Sequence, residues 1–505
     1  MKKIKISQVK IGAMVSYMAL AVSIITGLLY TPWMVARIGQ ANYGLYTLAN
    51  SLISIFMLDF GLGSAVSRFV SKYRAENNPE GINSIIGIIF KLYIAIDTVV
   101  LVALSVVFFL IESLYVKLTP AEMEQFKILY LMVAGFNLVA FPFAPLNGIL
   151  NAFEKFGQLK ACDLFSKLST VAFVVIALNY SQSVTLVVGA NIVSQLLTIL
   201  AKLIIVKVSV PIKVNFKANS KELYKTLFGF TAWTTIISVM QRFTHSFAPS
   251  VLAMTSSSIE IAVYSPAVTL EGYFYLLGTA VNGLFLPRVS RFIAEKKEEK
   301  ILPLMIKVGR YQMLFLGLVF TGFLCVGNDF MVLWMGPEYA KTYYCAAIIL
   351  FPTLVGATMQ IANTTVIAKN LIHYQAKFMI ASGVIGLAIS YVASIYLGAV
   401  GVCLGTAITA LSNTVFMNFV YKKKAGINIF EFYKKCYVRA IPCFLITIFA
   451  CVNLVKFVPV GGWSGLIIKA AMICLVFAVV FFVGYFSREE KKKLFNTVKH
   501  FVRGK

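Results

Sequence analysis

Histidine is nearly missing from this chain: three copies occur in 505 residues. No Gly-rich loop runs into Lys-Ser or Lys-Thr, so there is no phosphate cradle for ATP hydrolysis. Neither a G-x-S-x-G elbow nor an H-E-x-x-H helix occurs, and the stretches between apolar runs on one side are too short for a catalytic domain. These absences argue against an enzyme, including a membrane polymerase of glycans. The eight cysteines all lie within or beside apolar runs, and Cys436, Cys443 and Cys451 have no histidine beside them. They read as small buried hydrophobes, with no metal site. Charge is scarce too, at 13% of residues, where a soluble domain carries about a quarter. Acids are the scarcer sign, 20 against 46 bases, which leaves a net charge of +26.

Apolar runs fill the space that charge leaves. They recur at about 11–36, 44–66, 82–111, 127–150, 161–179, 184–206, 226–248, 262–286, 304–327, 343–367, 377–397, 399–420, 438–455 and 464–486. Runs of roughly 20 apolar residues span a bilayer, and in lipid only a helix satisfies its own backbone. The expected fold is an all-α polytopic membrane protein of about 14 transmembrane helices. The first run is free of charge from Ile11 to Ala36, too long for a signal peptide, and is kept as a span.

The basic residues alternate with the spans. The two tails and every second loop hold 34 Lys and Arg, whereas the opposite loops hold five: Arg37, Lys117, Lys127, Lys341 and Lys456. This asymmetry places both termini in the cytoplasm. It also makes anionic lipid, and not nucleic acid, the partner of the positive charge.

The stretch Arg37–Arg68 organises the rest. It closes the first apolar run, turns at Gly39-Gln40-Ala41-Asn42, carries Asp59 inside the second run and ends at Arg68. A related pattern returns later. Residues 41–52 align with 259–270, Gly63–Arg68 with Gly283–Arg288, and 158–160 with 375–377, at nearly one offset. An even number of spans per repeat gives two halves of like orientation. The expected organisation is an N-lobe at 1–206, a basic cytoplasmic linker at 207–225, a C-lobe at 226–421, and two further helices with a basic tail at 422–505.

Polar groups inside spans are the candidates for function. The seventh run carries Thr231, Thr234, Ser238, Gln241, Arg242 and His245 at helical spacing, a polar stripe on one face. The equivalent first run carries Ser16, Ser23, Thr26 and Tyr30. Two such stripes suggest a water-accessible cleft between lobes, although interhelical hydrogen bonding also favours Ser and Thr. Arg242 has no acid within four residues. Asp59, Asp97 and Glu271 lie inside runs as well. They either exchange a proton or bind a cation, or else serve as partners for a buried arginine. Asp163 and Lys167 read as a local i, i+4 pair. Lys91, Lys307, Arg310, Arg439 and Lys469 read as interfacial side chains reaching for water, and the run Glu295–Lys300 as a solvated loop.

The chain resembles the polysaccharide repeat-unit flippases (Wzx type) of the multidrug/oligosaccharidyl-lipid/polysaccharide (MOP) exporter superfamily. The resemblance rests on Ile38-Gly39, Tyr43-Gly44-Leu45-Tyr46, Asp59-Phe60-Gly61-Leu62 leading to Arg68, Phe330–Ala340 (FMVLWMGPEYA), and Gly398-Ala399-Val400-Gly401. It implies two six-helix lobes in a V, as in the MATE exporters, plus two C-terminal helices. It implies alternating access that carries an undecaprenyl-pyrophosphate-linked oligosaccharide outward across a bacterial inner membrane, with no cofactor beyond a coupling H+ or Na+. A glycan polymerase and a chain-length regulator are the implied protein partners. The substrate-binding candidates are then Arg242, His245, Gln241, Arg68, Arg288, Ser23 and Tyr30, and the ion-coupling candidates are Asp59, Glu271 and Asp97. One relative, the lipid II flippase, has basic residues in its first helix; this chain has none between Lys10 and Arg37. Two rival readings are a multidrug or cation exporter of the same superfamily, which a drug-resistance assay separates, and a non-transporting scaffold of a glycan-assembly complex.

Overall fold

The computed structural model describes residues 22, 24–57, 61–220, 223–224, 235, 239–240, 242, 246–279, 285–458, 461–486 and 488–491. Among them there is no β-strand. The helices in the N-terminal half are α1 Ile24–Ile38, α2 Gln40–Phe56, α3 Leu62–Ala75, α4 Pro79–Leu114, α5 Pro120–Ala140, α6 Pro145–Ala152, α7 Phe156–Tyr180, α8 Val184–Ser209 and α9 Ala248–Thr255. They are followed by α10 Ser258–Thr279, α11 Phe285–Ala294, α12 Ile301–Met335, α13 Thr342–Thr358, α14 Gln360–Ala368, α15 Ile372–Leu397, α16 Ala399–Lys423, α17 Ile429–Cys436, α18 Ala440–Val455 and α19 Gly462–Gly484.

Among the described residues, nine helices are long and apolar enough to cross a membrane, or ten if α13 and α14, bent by 54°, form one span. They coincide with the third to sixth and ninth to fourteenth expected runs, so the all-helical membrane fold stands. The count of fourteen is not confirmed among the described residues. The second run, 44–66, is not one helix: α2 ends at Phe56, with Met57 beyond it, and α3 starts after Gly61, which has φ 69°. Helix α10 falls on the eighth run, α11 begins only at the end of that run, and most of the seventh lies outside the described residues.

Contacts group the chain into two compact units, residues 1–265 with 379–402 and residues 266–378 with 403–505. In the first, the buried faces of α3, α4 and α6 meet in a core around Val66, Val70, Ile85, Ile89 and Tyr93. Helix starts are set by their caps. The Asn78 side chain accepts the Gly81 N–H at 2.8 Å ahead of Pro79. Thr119 and Glu122 form a reciprocal capping box on α5. Two glycines of the stretch Arg37–Arg68 have physical reasons. Gly39 turns the chain between α1 and α2 at φ 83°. Gly44 lets α2 lie against the 258 backbone, where a β-carbon would overlap the Ser258 carbonyl.

In the second unit, α17, α18 and α19 pack on α12. Phe477 and Phe481 stack at 4.0 Å, and Phe444 sits at 5.0 Å from Phe481. The motif Phe330–Ala340 closes α12: Trp334 stacks on Phe330 at 5.5 Å, Trp463 meets Phe330 edge-on, and Tyr339 is buried. This family motif is therefore a packing device. Both Pro266 and Pro352 lie inside continuous helices, α10 and α13. The eight thiols are free; Cys325 is half-buried, Cys474 exposed, and the other six buried.

Candidate functional site

Within the first unit, α2 carries polar groups at positions 43, 47, 50 and 54, which helical spacing puts on one face. The Tyr43 hydroxyl lies 2.9 Å from Ser265 Oγ, and Thr47 Oγ1 donates to the same oxygen at 3.3 Å. Further along, Ser54 donates to Ser246 Oγ at 2.9 Å. On the adjacent face, Asn191 of α8 donates its amide to the Tyr46 hydroxyl at 3.1 Å. Tyr30 of α1 lies against Trp33, ring centres 6.4 Å apart. These are uncharged donors and acceptors. They suit hydroxyl-rich groups and helix–helix bonding alike, and they cannot neutralise a phosphate.

The cations are elsewhere. Arg242 is helical and exposed, and makes no ion pair or hydrogen bond to a described residue. Arg68 is exposed on α3. Arg288 is exposed on α11, its guanidinium 5.7 Å from the Phe292 ring centre. Of the acids, Glu271 is half-buried and accepts a hydrogen bond from Thr353 Oγ1 at 2.7 Å. Asp97 is half-buried, and its Oδ1 is shielded with no hydrogen-bond partner. Ser23, Asp59, Gln241 and His245 lie outside the described residues, as do Thr231, Thr234 and Ser238.

Several local readings are corrected. Asp163 pairs with Lys160 at 3.1 Å and Lys202 at 3.7 Å, not with Lys167. The helix α8 brings Lys202 alongside, which the i, i+4 rule does not see. Lys469 does not simply reach for water, since it binds Asp329 at 2.7 Å. Arg310 forks onto Glu490 with contacts of 2.5 and 3.0 Å. Lys91 donates to the Ala218 carbonyl at 2.5 Å, tying the basic segment 210–220 to α4. In the loop after α11, Lys297 binds Glu295 at 2.8 Å and holds its carboxyl below the usual range.

One residue escaped sequence reasoning altogether. Glu260 Oε2 accepts the Ala399 N–H at 2.6 Å and so caps α16. Gly398 at φ 58° leaves the room, because a β-carbon there would overlap the Glu260 carboxylate. The motif Gly398–Gly401 is the receiving half of this cap. Among the described residues, no cluster of His, Cys, Asp and Glu could hold a metal ion.

Comparison with known proteins adds a family and a fold. A family model described as Polysaccharide biosynthesis protein matches residues 11–281. A probable low-salt glycan biosynthesis flippase, Agl15, of Haloferax volcanii is 20% identical over 204 residues, 40% of this chain and 43% of that protein. The chain thus matches less than half the length of this curated relative. Among solved structures, the lipid II flippase MurJ in an inward closed conformation has a TM-score of 0.68 at 16% identity, covering 94% of this chain and 98% of that one. An inward-facing multidrug resistance MATE family transporter of the MOP superfamily also reaches 0.68 at 12% identity, covering 81% and 98%. Both matched folds come from transporters, and neither is an enzyme.

Proposed function

Because this chain belongs to the polysaccharide biosynthesis protein family, we propose that it is a flippase for a lipid-linked oligosaccharide. In this reading it moves an undecaprenyl-pyrophosphate-linked repeat unit from the cytoplasmic to the outer leaflet by alternating access. An ion gradient, H+ or Na+, drives the cycle, with Glu271, Asp97 and Asp59 as the coupling candidates. The two six-helix lobes at 1–206 and 226–421, the bacterial inner membrane and the cytoplasmic termini belong to the same proposal. So do a glycan polymerase and chain-length regulator as partners.

The observation that carries the reading is the state of Arg242. An exposed guanidinium without a described partner, four residues before Ser246 in a chain this poor in charge, is an unusual thing to keep in a membrane protein. A pyrophosphate–sugar head cannot cross hydrocarbon unaided. Guanidinium offers it a permanent charge and a bidentate fork, while the hydroxyls and amides along α2 suit the sugar. Arg68, Arg288, Gln241, His245, Ser23 and Tyr30 complete the candidate path, and the polyprenyl tail stays in lipid throughout.

Complementation of a strain lacking its own repeat-unit exporter tests this. Arg242→Ala is expected to cut surface glycan at least about tenfold, the loss of one charge-assisted contact or more, at unchanged protein abundance. Arg242→Lys keeps part of the activity. Full export by the alanine variant would reduce Arg242 to a bystander.

A further inference from the structure

Helix α12 carries an exposed ridge of Pro303, Lys307, Tyr311 and Phe315, each four residues from the last. Two hollows flank this ridge within the second unit, of about 690 Å³ and 620 Å³, and Pro303, Lys307 and Tyr311 line both. The first has apolar walls, including Ile306, Leu314 and Phe486. The second is lined by Phe285 and Phe292 of α11.

Their charge is unbalanced. Five bases and three acids line the pair of hollows, an excess of two positive charges. Two acids are already taken: Glu490 by the fork of Arg310, and Glu431 by Lys435 at 2.6 Å. That leaves Lys307, Arg288 and Lys300 facing Glu299 alone. Lys307 makes no hydrogen bond or ion pair to a described residue, and it stands on the wall that the hollows share.

The position of the ridge narrows the occupant. Lys307 lies near the start of a 38-residue helical stretch, Glu298–Met335, which is far longer than the roughly 20 residues that cross hydrocarbon. Its basic end therefore sits at headgroup level, while Tyr311 and Phe315, 62% and 53% exposed, run on towards the acyl chains. A soluble anion would use the cations and leave the apolar walls unused. A lipid phosphate uses both, and basic pockets between membrane helices bind such headgroups.

We propose that the two hollows flanking Lys307 bind an anionic phospholipid of the surrounding leaflet, with its phosphate on Lys307 and an acyl chain along Tyr311, Leu314 and Phe315. The site would act as a fixed lipid contact holding α12 against α17 and the segment around Glu490. It requires the chain to sit in a bilayer, but it does not depend on which cargo is moved.

Native mass spectrometry of the full chain in detergent tests this, with phosphatidylglycerol and phosphatidylcholine of identical acyl chains as probes. Wild-type protein is expected to retain phosphatidylglycerol in preference. Lys307→Glu should lower that retention at least about fivefold, in line with one surface cation's contribution. Lys307→Arg should preserve it, and phosphatidylcholine should be indifferent to both. Lys307→Gln serves in place of the glutamate variant should that one fail to fold. Equal retention of both lipids by the wild type, or undiminished phosphatidylglycerol on a folded Lys307 variant, would overturn the proposal. So would complete displacement of the lipid by millimolar inorganic phosphate, which would make this a site for a free anion.

Discussion

Glu271 and Arg242 differ in how far neighbours account for them. Glu271 is answered by Thr353, 82 residues away on α13, and no local rule reveals that pairing. A hydroxyl donor hydrogen-bonds a carboxylate at membrane depth without neutralising it. If Glu271 couples transport, Glu271→Gln should leave folding intact and make the transport rate indifferent to an imposed ion gradient, while Thr353→Val should only weaken the response. A glutamine variant that still responds in full would assign Glu271 to packing. For Arg242, sequence exposed the anomaly directly, since an arginine in an apolar run with no acid nearby needs no structure to be noticed. The misread pairs were of another kind. Asp163 has a candidate partner four residues on, but the structure pairs it with Lys160 three residues back and, because α7 and α8 run side by side, with Lys202 as well. Helical spacing describes neighbours on one helix and says nothing of those on the next.

At the scale of elements, hydropathy located the helices that cross lipid, because the backbone in hydrocarbon has no alternative. It passed over the interruption between α2 and α3, since a single acid, Asp59, among Met57, Leu58, Phe60 and Leu62 hardly lowers a running average, and such an average does not register a change of φ. The glycine motifs were visible as pattern but not as cause. Gly44 faces the Ser258 carbonyl, Gly398 faces the Glu260 carboxylate, and each is defined by an element more than 100 residues away. Gly44→Ala is therefore expected to destabilise the protein by about 1–3 kcal/mol through overpacking, read as a lower melting temperature in detergent. Gly135→Ala on α5, where a β-carbon meets nothing within 4 Å, is the matched control and should not lower it. Equal melting temperatures for the two variants would mean that α2 can step back without cost. The end of α12 shows how a motif found through resemblance can turn out structural: Phe330 stacks on Trp334 and takes Trp463 edge-on, and no ionisable group is among these three.

At the scale of the whole molecule, scarcity of charge and the length of the apolar runs pointed to a polytopic helical protein, and the family and fold comparisons agree with it. The placement of Lys and Arg yields an orientation, which accessibility labelling of single cysteines in the two tails can check. What the chain carries is a property of a path lined by residues from many helices, and composition does not encode such a path. The most direct test is leaflet transfer in liposomes. Purified protein is reconstituted with a fluorescent pyrophosphate-linked oligosaccharide lipid, and the fraction open to an impermeant quencher is followed over time. Wild type should bring the protected inner-leaflet lipid within reach of the quencher, faster under an ion gradient, and Arg242→Ala should leave that lipid protected. Folded wild-type protein that moves none of it, or an alanine variant that moves it equally fast, would contradict the account.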